Sequence, residues 1–157
     1  GSLKLQAALD EFGINPENMI CLDVGASTGG FTEVLLNRGA VRVYAVDVGS
    51  NQLADNLRDD LRVVSLEQTD IRALPPVEMV DLIVVDVSFV SLTNIVDVFP
   101  KWGAKDVVVL IKQHLEHLLK VGMNLYCSRS IVRHHQIFHP IFLHQYYQRQ
   151  VKLYRNL

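Results

Sequence analysis

The chain has 157 residues, 49% of them apolar, which is length and hydrophobicity for one ordinary domain with a sizeable core. General disorder is excluded, no apolar run approaches the ~18 residues that cross a bilayer, and no signal-peptide pattern opens the chain. The formal charge of −2 is close to neutral, so any pull toward an anionic partner has to be local.

Gly1-Ser2 reads as an expression scar, which leaves room for natural sequence upstream. Leu3 to Leu9 has the spacing of a short amphipathic helix ending at Gly13, with Lys4 by default a solvated surface lysine. Met19-Ile20-Cys21-Leu22 is a short apolar strand that enters the turn Asp23-Val24-Gly25-Ala26-Ser27-Thr28-Gly29-Gly30. Phe31, Val34, Leu35 and Leu36 then fall at helical spacing, and Arg38-Gly39 closes that helix. Val41 to Val46 is a second strand ending in Asp47, and Asn51 to Arg58 suggests a second helix in the body of the domain. Arg62 to Leu66 reads as a third strand, Pro75-Pro76 breaks the chain, and Val80 to Asp86 is the strongest strand signal. Ile95, Val96 and Phe99 share one face of a following helix that Pro100 and Gly103 end, and Asp106 to Lys112 is a fifth strand. Near-continuous apolar strands alternating with helices imply an α/β domain with a parallel sheet covered on both faces.

The core spans residues 1–113, and residues 114–157 form a C-terminal segment of the same domain. In that segment Ile137, Phe138, Ile141, Phe142 and Tyr146 have helical spacing, interrupted by Pro140, and two further strands have no clear position. Residues 1–112 carry 9 basic and 16 acidic side chains, whereas residues 113–157 carry six and one together with all six histidines. The asymmetry fits either an anionic partner near the C-terminal part or a solvated basic tail. Cys21 in a strand and Cys127 in a polar stretch read as free thiols of a reducing compartment, which points to the cytoplasm.

The glycine turn is not the dinucleotide fingerprint Gly-x-Gly-x-x-Gly, because Ser27 stands at its middle position. It reads Asp-x-Gly-x-x-x-Gly-Gly. An acid at position 23 repels a pyrophosphate but suits a ligand with a cationic amine. Asp47, at the end of the next strand, can accept hydrogen bonds from two ribose hydroxyls. A nucleoside with an amino-acid arm and no phosphate, S-adenosylmethionine, meets both demands. The plain alternative is a turn that only joins strand to helix, with Asp23 a solvated acid. Asp86 and Lys112 end the fourth and fifth strands, so both fall at the carboxyl edge where doubly wound sheets bind ligands. There a lysine beside a carboxylate could orient a hydroxyl and take its proton, or the pair could be a strand-end salt bridge.

Leu22 to Thr32, Tyr44 to Gly49 with Gln52-Leu53, and Asp86 to Leu92 together resemble the hemolysin A-type, FtsJ-like ribosomal RNA methyltransferases. The resemblance runs nearly continuously over residues 3 to 112. It implies a Rossmann-like methyltransferase fold, S-adenosylmethionine as cofactor, no metal, and methyl transfer to the ribose 2′-hydroxyl of cytidine in ribosomal RNA. Ribosomal RNA or ribosomal subunits would be the partner. The family's Lys-Asp-Lys-Glu set falls on Lys4, Asp86 and Lys112. Its glutamate belongs to a late Gly-Asn-x-Glu-Phe segment without a match here, so no residue is assigned to it. The family's Ile-Lys-Pro-Gln-Phe-Glu appears as Ile111-Lys112-Gln113-His114-Leu115-Glu116, and its small preceding RNA-binding domain is not in this chain. The implied cofactor residues are Asp23, Gly25, Ser27, Thr28, Gly29, Gly30, Phe31, Asp47, Val48 and Asp70. The amides of Gly25 to Gly30 would take the methionine carboxylate, Asp23 its ammonium, Asp47 the ribose and Asp70 the adenine amine. Other readings are methylation of a small molecule or protein, a membrane-active hemolysin, and a cofactor-binding module without activity.

Overall fold

The computed structural model describes residues 1–112, 132–133 and 151–155. Five parallel strands form the body of the sheet: β1 (Ile20–Val24), β2 (Arg42–Val46), β3 (Val63–Leu66), β4 (Leu82–Ser88) and β5 (Asp106–Lys112). Two further strands, β6 (Val132–Arg133) and β7 (Val151–Arg155), extend it in the order β3-β2-β1-β4-β5-β7-β6, with β7 antiparallel to β5. The chain winds outward from β1 to β3 and then returns to place β4 on the other side of β1. That reversal puts the switch point between β1 and β4. The helical pattern from Ile137 to Tyr146, and Cys127, lie outside the described residues.

Because strand side chains alternate, the apolar runs divide into two cores, one on each face of the sheet. Cys21, Val43, Ala45, Leu82, Val84, Val108 and Leu110 face α1 (Ser2–Phe12), α2 (Gly30–Asn37) and α3 (Asp55–Arg58). Leu22, Tyr44, Val46, Ile83, Val85, Val107 and Val109 face Ile71, Leu92, Ile95, Phe99 and Trp102. Leu5, Leu9, Leu22, Leu35, Leu82 and Trp102 are wholly buried, and each such side chain removes about 1.5–3 kcal/mol worth of apolar surface from water.

Caps fall where the glycines announce them. Gly13 ends α1 at φ 64, and the Ile14 amide reaches back to the Leu9 carbonyl at 2.9 Å. Gly39, at φ 90, does the same for α2. Two expected helices differ from their sequence pattern. The segment from Asn51 yields only the single turn α3, because Asn51 sits at φ 55 and the Gln52 and Leu53 amides bond to Glu67 instead of to a helix. After β4, α4 (Phe89–Ile95) tightens into a 3-10 helix over Val96–Trp102. The change of period leaves Ile95 and Phe99 buried but turns Val96 out to 37% exposure.

Candidate active site

The turn after β1 is crowded by protein. Gly25 has φ 81, and a Cβ there would stand 2.8 Å from the Asp86 carbonyl oxygen and 2.8 Å from Val87 Cγ1. At Gly29, φ 97, it would strike Leu57 Cδ1 at 2.3 Å, and at Gly30 it would meet Ser2 Oγ at 2.9 Å. These three glycines therefore bring the turn against β4, α3 and α1 respectively. Four of the six amides from Gly25 to Gly30 are already in use. Gly25 and Ala26 donate to the Val46 carbonyl, Ser27 donates to Asp47 Oδ2 at 2.7 Å, and Gly29 donates to the Ala26 carbonyl. Thr28 and Gly30 keep amides without an acceptor among the described residues.

Asp23 lies beneath this turn, wholly buried, with Oδ2 accepting the Thr32 hydroxyl at 2.7 Å. Its Oδ1 has no hydrogen-bond partner among the described residues. Burial first, then the charges of Asp86 and Asp47, push its carboxyl up to about 7, against the pull of Thr32. Asp47 accepts Ser27 N–H on one oxygen and Gly49 N–H on the other, each at 2.7 Å, so it ties the loop after β2 to the turn after β1. A carboxylate has about four lone-pair directions, so each oxygen can still accept a ligand hydroxyl. Asp70 is held well below the usual range, at about 2, by the Arg72 guanidinium, which bonds both its oxygens, and by the Arg72 amide.

Between these elements opens a cleft of about 420 Å³ at the carboxyl edge of β1, β2 and β4. Gly25, Ser27, Asp47, Val48, Asp70 and Asp86 all line it. Asp23, Thr28, Gly29, Gly30 and Phe31 are not among its lining residues. Thr69, Ile71, Arg72, Asn94 and Ile95, to which no site role was assigned from sequence, also line it, and Val87 and Ser91 from the Asp86 to Leu92 motif join them. Gln52, visible earlier only as part of a motif, lines it too. Among the described residues four non-glycine residues have left-handed backbone, and three of them, Ser27, Asn51 and Gln68, lie in or beside this lining. Such conformations gather at functional sites because they cost energy elsewhere.

The FtsJ-like methyltransferase family profile matches residues 1–147. The chain belongs to this family. It is 49% identical over 121 residues to the 16S/23S rRNA (cytidine-2′-O)-methyltransferase TlyA of Mycobacterium tuberculosis, covering 74% of this chain and 45% of that protein. A solved hemolysin-named chain from Streptococcus thermophilus is 45% identical, with a TM-score of 0.68 over 74% of this chain and 46% of its own. An S-adenosylmethionine-dependent methyltransferase from Mesorhizobium loti is 16% identical at a TM-score of 0.55, over 68% and 52%, which shows the shared fold alone. The chain spans about half the length of the curated relatives it matches.

In this FtsJ-like methyltransferase, α1 reaches the site from the far end of the sequence. A side chain built on Gly1 would come within 3.2 Å of the Phe31 ring and 3.4 Å of Asp86 Oδ2. Lys4 is in the first turn of that helix, its amide bonded to the Gly1 carbonyl; its side chain is exposed, with no hydrogen bond or ion pair among the described residues. On the other side, Asp86 pairs with Leu110 and Ser88 with Lys112 in the β4–β5 register. Three distant segments of the FtsJ-like fold thus converge at one corner of the sheet. No helix among the described residues is long and apolar enough to cross a membrane.

Proposed function

We propose that the chain binds S-adenosylmethionine in this cleft and transfers its methyl group to the ribose 2′-hydroxyl of cytidine in ribosomal RNA. The carrying observation is the crowding of Asp23, Asp47 and Asp86 at the switch point of a chain 49% identical to a protein named for that reaction. An acid-lined cleft favours a cationic nucleoside and disfavours pyrophosphate. The lone Asp23 Oδ1 is a buried acceptor in need of a donor, which a ligand ammonium or a water beneath it would satisfy. Thr28 and Gly30 N–H are the turn amides left for a carboxylate. Asp47 retains acceptor capacity for the ribose, and Val48, Ile71 and Ile95 give the nucleobase apolar walls near Asp70.

When bound, the cofactor supplies a methyl group on a sulfonium that departs as a neutral thioether. The chain's own task is alignment and proton removal. Lys112 takes the hydroxyl proton, Asp86 orients it, and Lys4 flanks the same corner from α1. The ribosomal partner approaches from solvent at the carboxyl edge of the sheet.

Calorimetry with S-adenosylmethionine tests the cofactor assignment: the wild type binds, and Asp47→Ala binds at least tenfold more weakly. No binding by the wild type removes the proposal. Tritium transfer from labelled cofactor to purified ribosomal subunits, set against mixed proteins and metabolites, tests the substrate. Label confined to cytidine ribose supports it, and label in protein or small molecules replaces it. Dye release from liposomes at micromolar protein without methyl transfer would favour the membrane-active reading.

A further inference from the structure

The loop after β2 carries a side chain with no assigned role. We infer that Gln52 is a ribose-reading residue of the cleft and that Glu67 is the positioning residue that holds it there. This rests on the cofactor reading above. Gly49 supplies the first observation: a Cβ at that position would fall 2.0 Å from Gln52 Nε2, 2.7 Å from Gln52 Cδ and 3.1 Å from Asp47 Oδ1. The Gln52 carboxamide, the far end of an exposed side chain, thus lies over Gly49 and beside the Asp47 carboxylate. Gln52 lines the cleft, and its carboxamide has no hydrogen-bond partner among the described residues.

The second observation is how firmly the backbone under Gln52 is held. Glu67 Oε1 accepts the Gln52 amide at 2.6 Å and the Leu53 amide at 2.9 Å. Arg58 Nη2 bonds Glu67 Oε2 at 3.3 Å and the Leu53 carbonyl at 3.0 Å. The amides of Leu53 and Gln52 hold the Glu67 carboxyl below its usual range. Leu53, buried, packs beneath Gly29, and Asn51 takes up the left-handed bend. A solvated loop has no need of this clamp.

The chemistry of the pair fits a vicinal diol. Asp47 only accepts, and each of its oxygens already holds one amide. A carboxamide both donates and accepts. A ribose hydroxyl that donates to Asp47 can therefore accept from Gln52 Nε2, which satisfies both of its hydrogen-bonding roles. A deoxyribose leaves one partner unmatched, and that is a basis for discrimination.

The test is calorimetry with S-adenosylhomocysteine and its 2′-deoxy and 3′-deoxy analogues on wild type, Gln52→Ala, Glu67→Ala and Glu67→Gln. The wild type should prefer the ribo ligand to at least one deoxy form by about tenfold or more. Gln52→Ala should weaken the ribo ligand about tenfold and that deoxy ligand hardly at all, collapsing the ratio. Glu67→Ala should collapse it likewise, while Glu67→Gln, which keeps an acceptor for the amides, should restore most of it. The ratio is read on the folded fraction alone, so a loss of stability does not imitate the result. An unchanged ratio in Gln52→Ala, or equal losses for all ligands, overturns the inference and leaves the cofactor reading intact. A wild type that binds none of these ligands overturns both.

Discussion

The two ends of the sheet treat their carboxylates in opposite ways. At the amino end, three acids beside the strands are each matched by a partner. Asp60 holds Arg62 ahead of β3, Glu78 bonds Tyr44 and Arg42 on β2, and Asp81 accepts the Ile20 amide of β1 at 2.8 Å. At the carboxyl end, Asp23, Asp47 and Asp86 stand together around a glycine turn, and the buried one is pushed up to about 7. The amino end neutralises these charges with Arg62 and Arg42, whereas the carboxyl end pairs Asp70 with Arg72 but crowds Asp23, Asp47 and Asp86 around one turn. That contrast is what the proposed cationic cofactor rests on.

The largest expected effect is on turnover. In the full-length protein, Lys112→Ala should lower methyl transfer by about 10²–10⁴-fold with little change in cofactor affinity, as single-turnover rates and calorimetry would show. An undiminished rate removes Lys112 from the mechanism and leaves the carboxyl end a binding site only. Next is Gly25→Ala, which combines a side chain at φ 81 with contacts of 2.8 Å to β4. Chemical denaturation should show a loss of about 3 kcal/mol, and binding should fall with it.

Asp23 sharpens the comparison through pH. An acid whose folded pKa exceeds its unfolded value binds more protons when folded, so its ionisation destabilises the fold. Its favourable contribution is full below 3.8 and is lost as pH climbs through about 7. Asp23→Asn should therefore be more stable than wild type at pH 8, by an amount on the order of 2 kcal/mol, with a flatter stability profile between those limits. A cationic cofactor favours the ionised form, so wild-type affinity should rise from pH 6 to pH 8 and Asp23→Asn should lose that rise. The smallest effect is at the other end. Asp60, held down at about 2 by Arg62, adds stability that is present above 3.8 and lost as pH falls through about 2. Asp60→Asn should shift only the acid limb of the melting profile, weaken in high salt, and leave cofactor binding unchanged.

Much of the fold was legible. The five apolar runs became five parallel strands, and Gly13, Gly39 and Gly103 ended their helices as composition suggested. The site was half legible. Asp47 and Asp86 stood out as acids at strand ends, while Val48 and Asp70 were expected only through the family resemblance; all four line the cleft. Ile71, Arg72 and Asn94 carried no local signal, since an ordinary loop and a helix face acquire a role only when they close a cleft. The turn glycines were expected to offer amides to a ligand, and their absent Cβ atoms also make room for Val87, Leu57 and Ser2.

The order of apolar and polar residues along the chain by itself determined the alternation of strand and helix, the two faces of the sheet and the acids at the strand ends. Those follow from local periodicity and from removing apolar side chains from water. Which acids meet was decided only by the tertiary structure. Strand order sets β1 beside β4, and close packing then decides which carboxylate is left without a partner. Neither distance along the chain nor composition encodes that proximity, which exists only once the sheet has closed around its switch point.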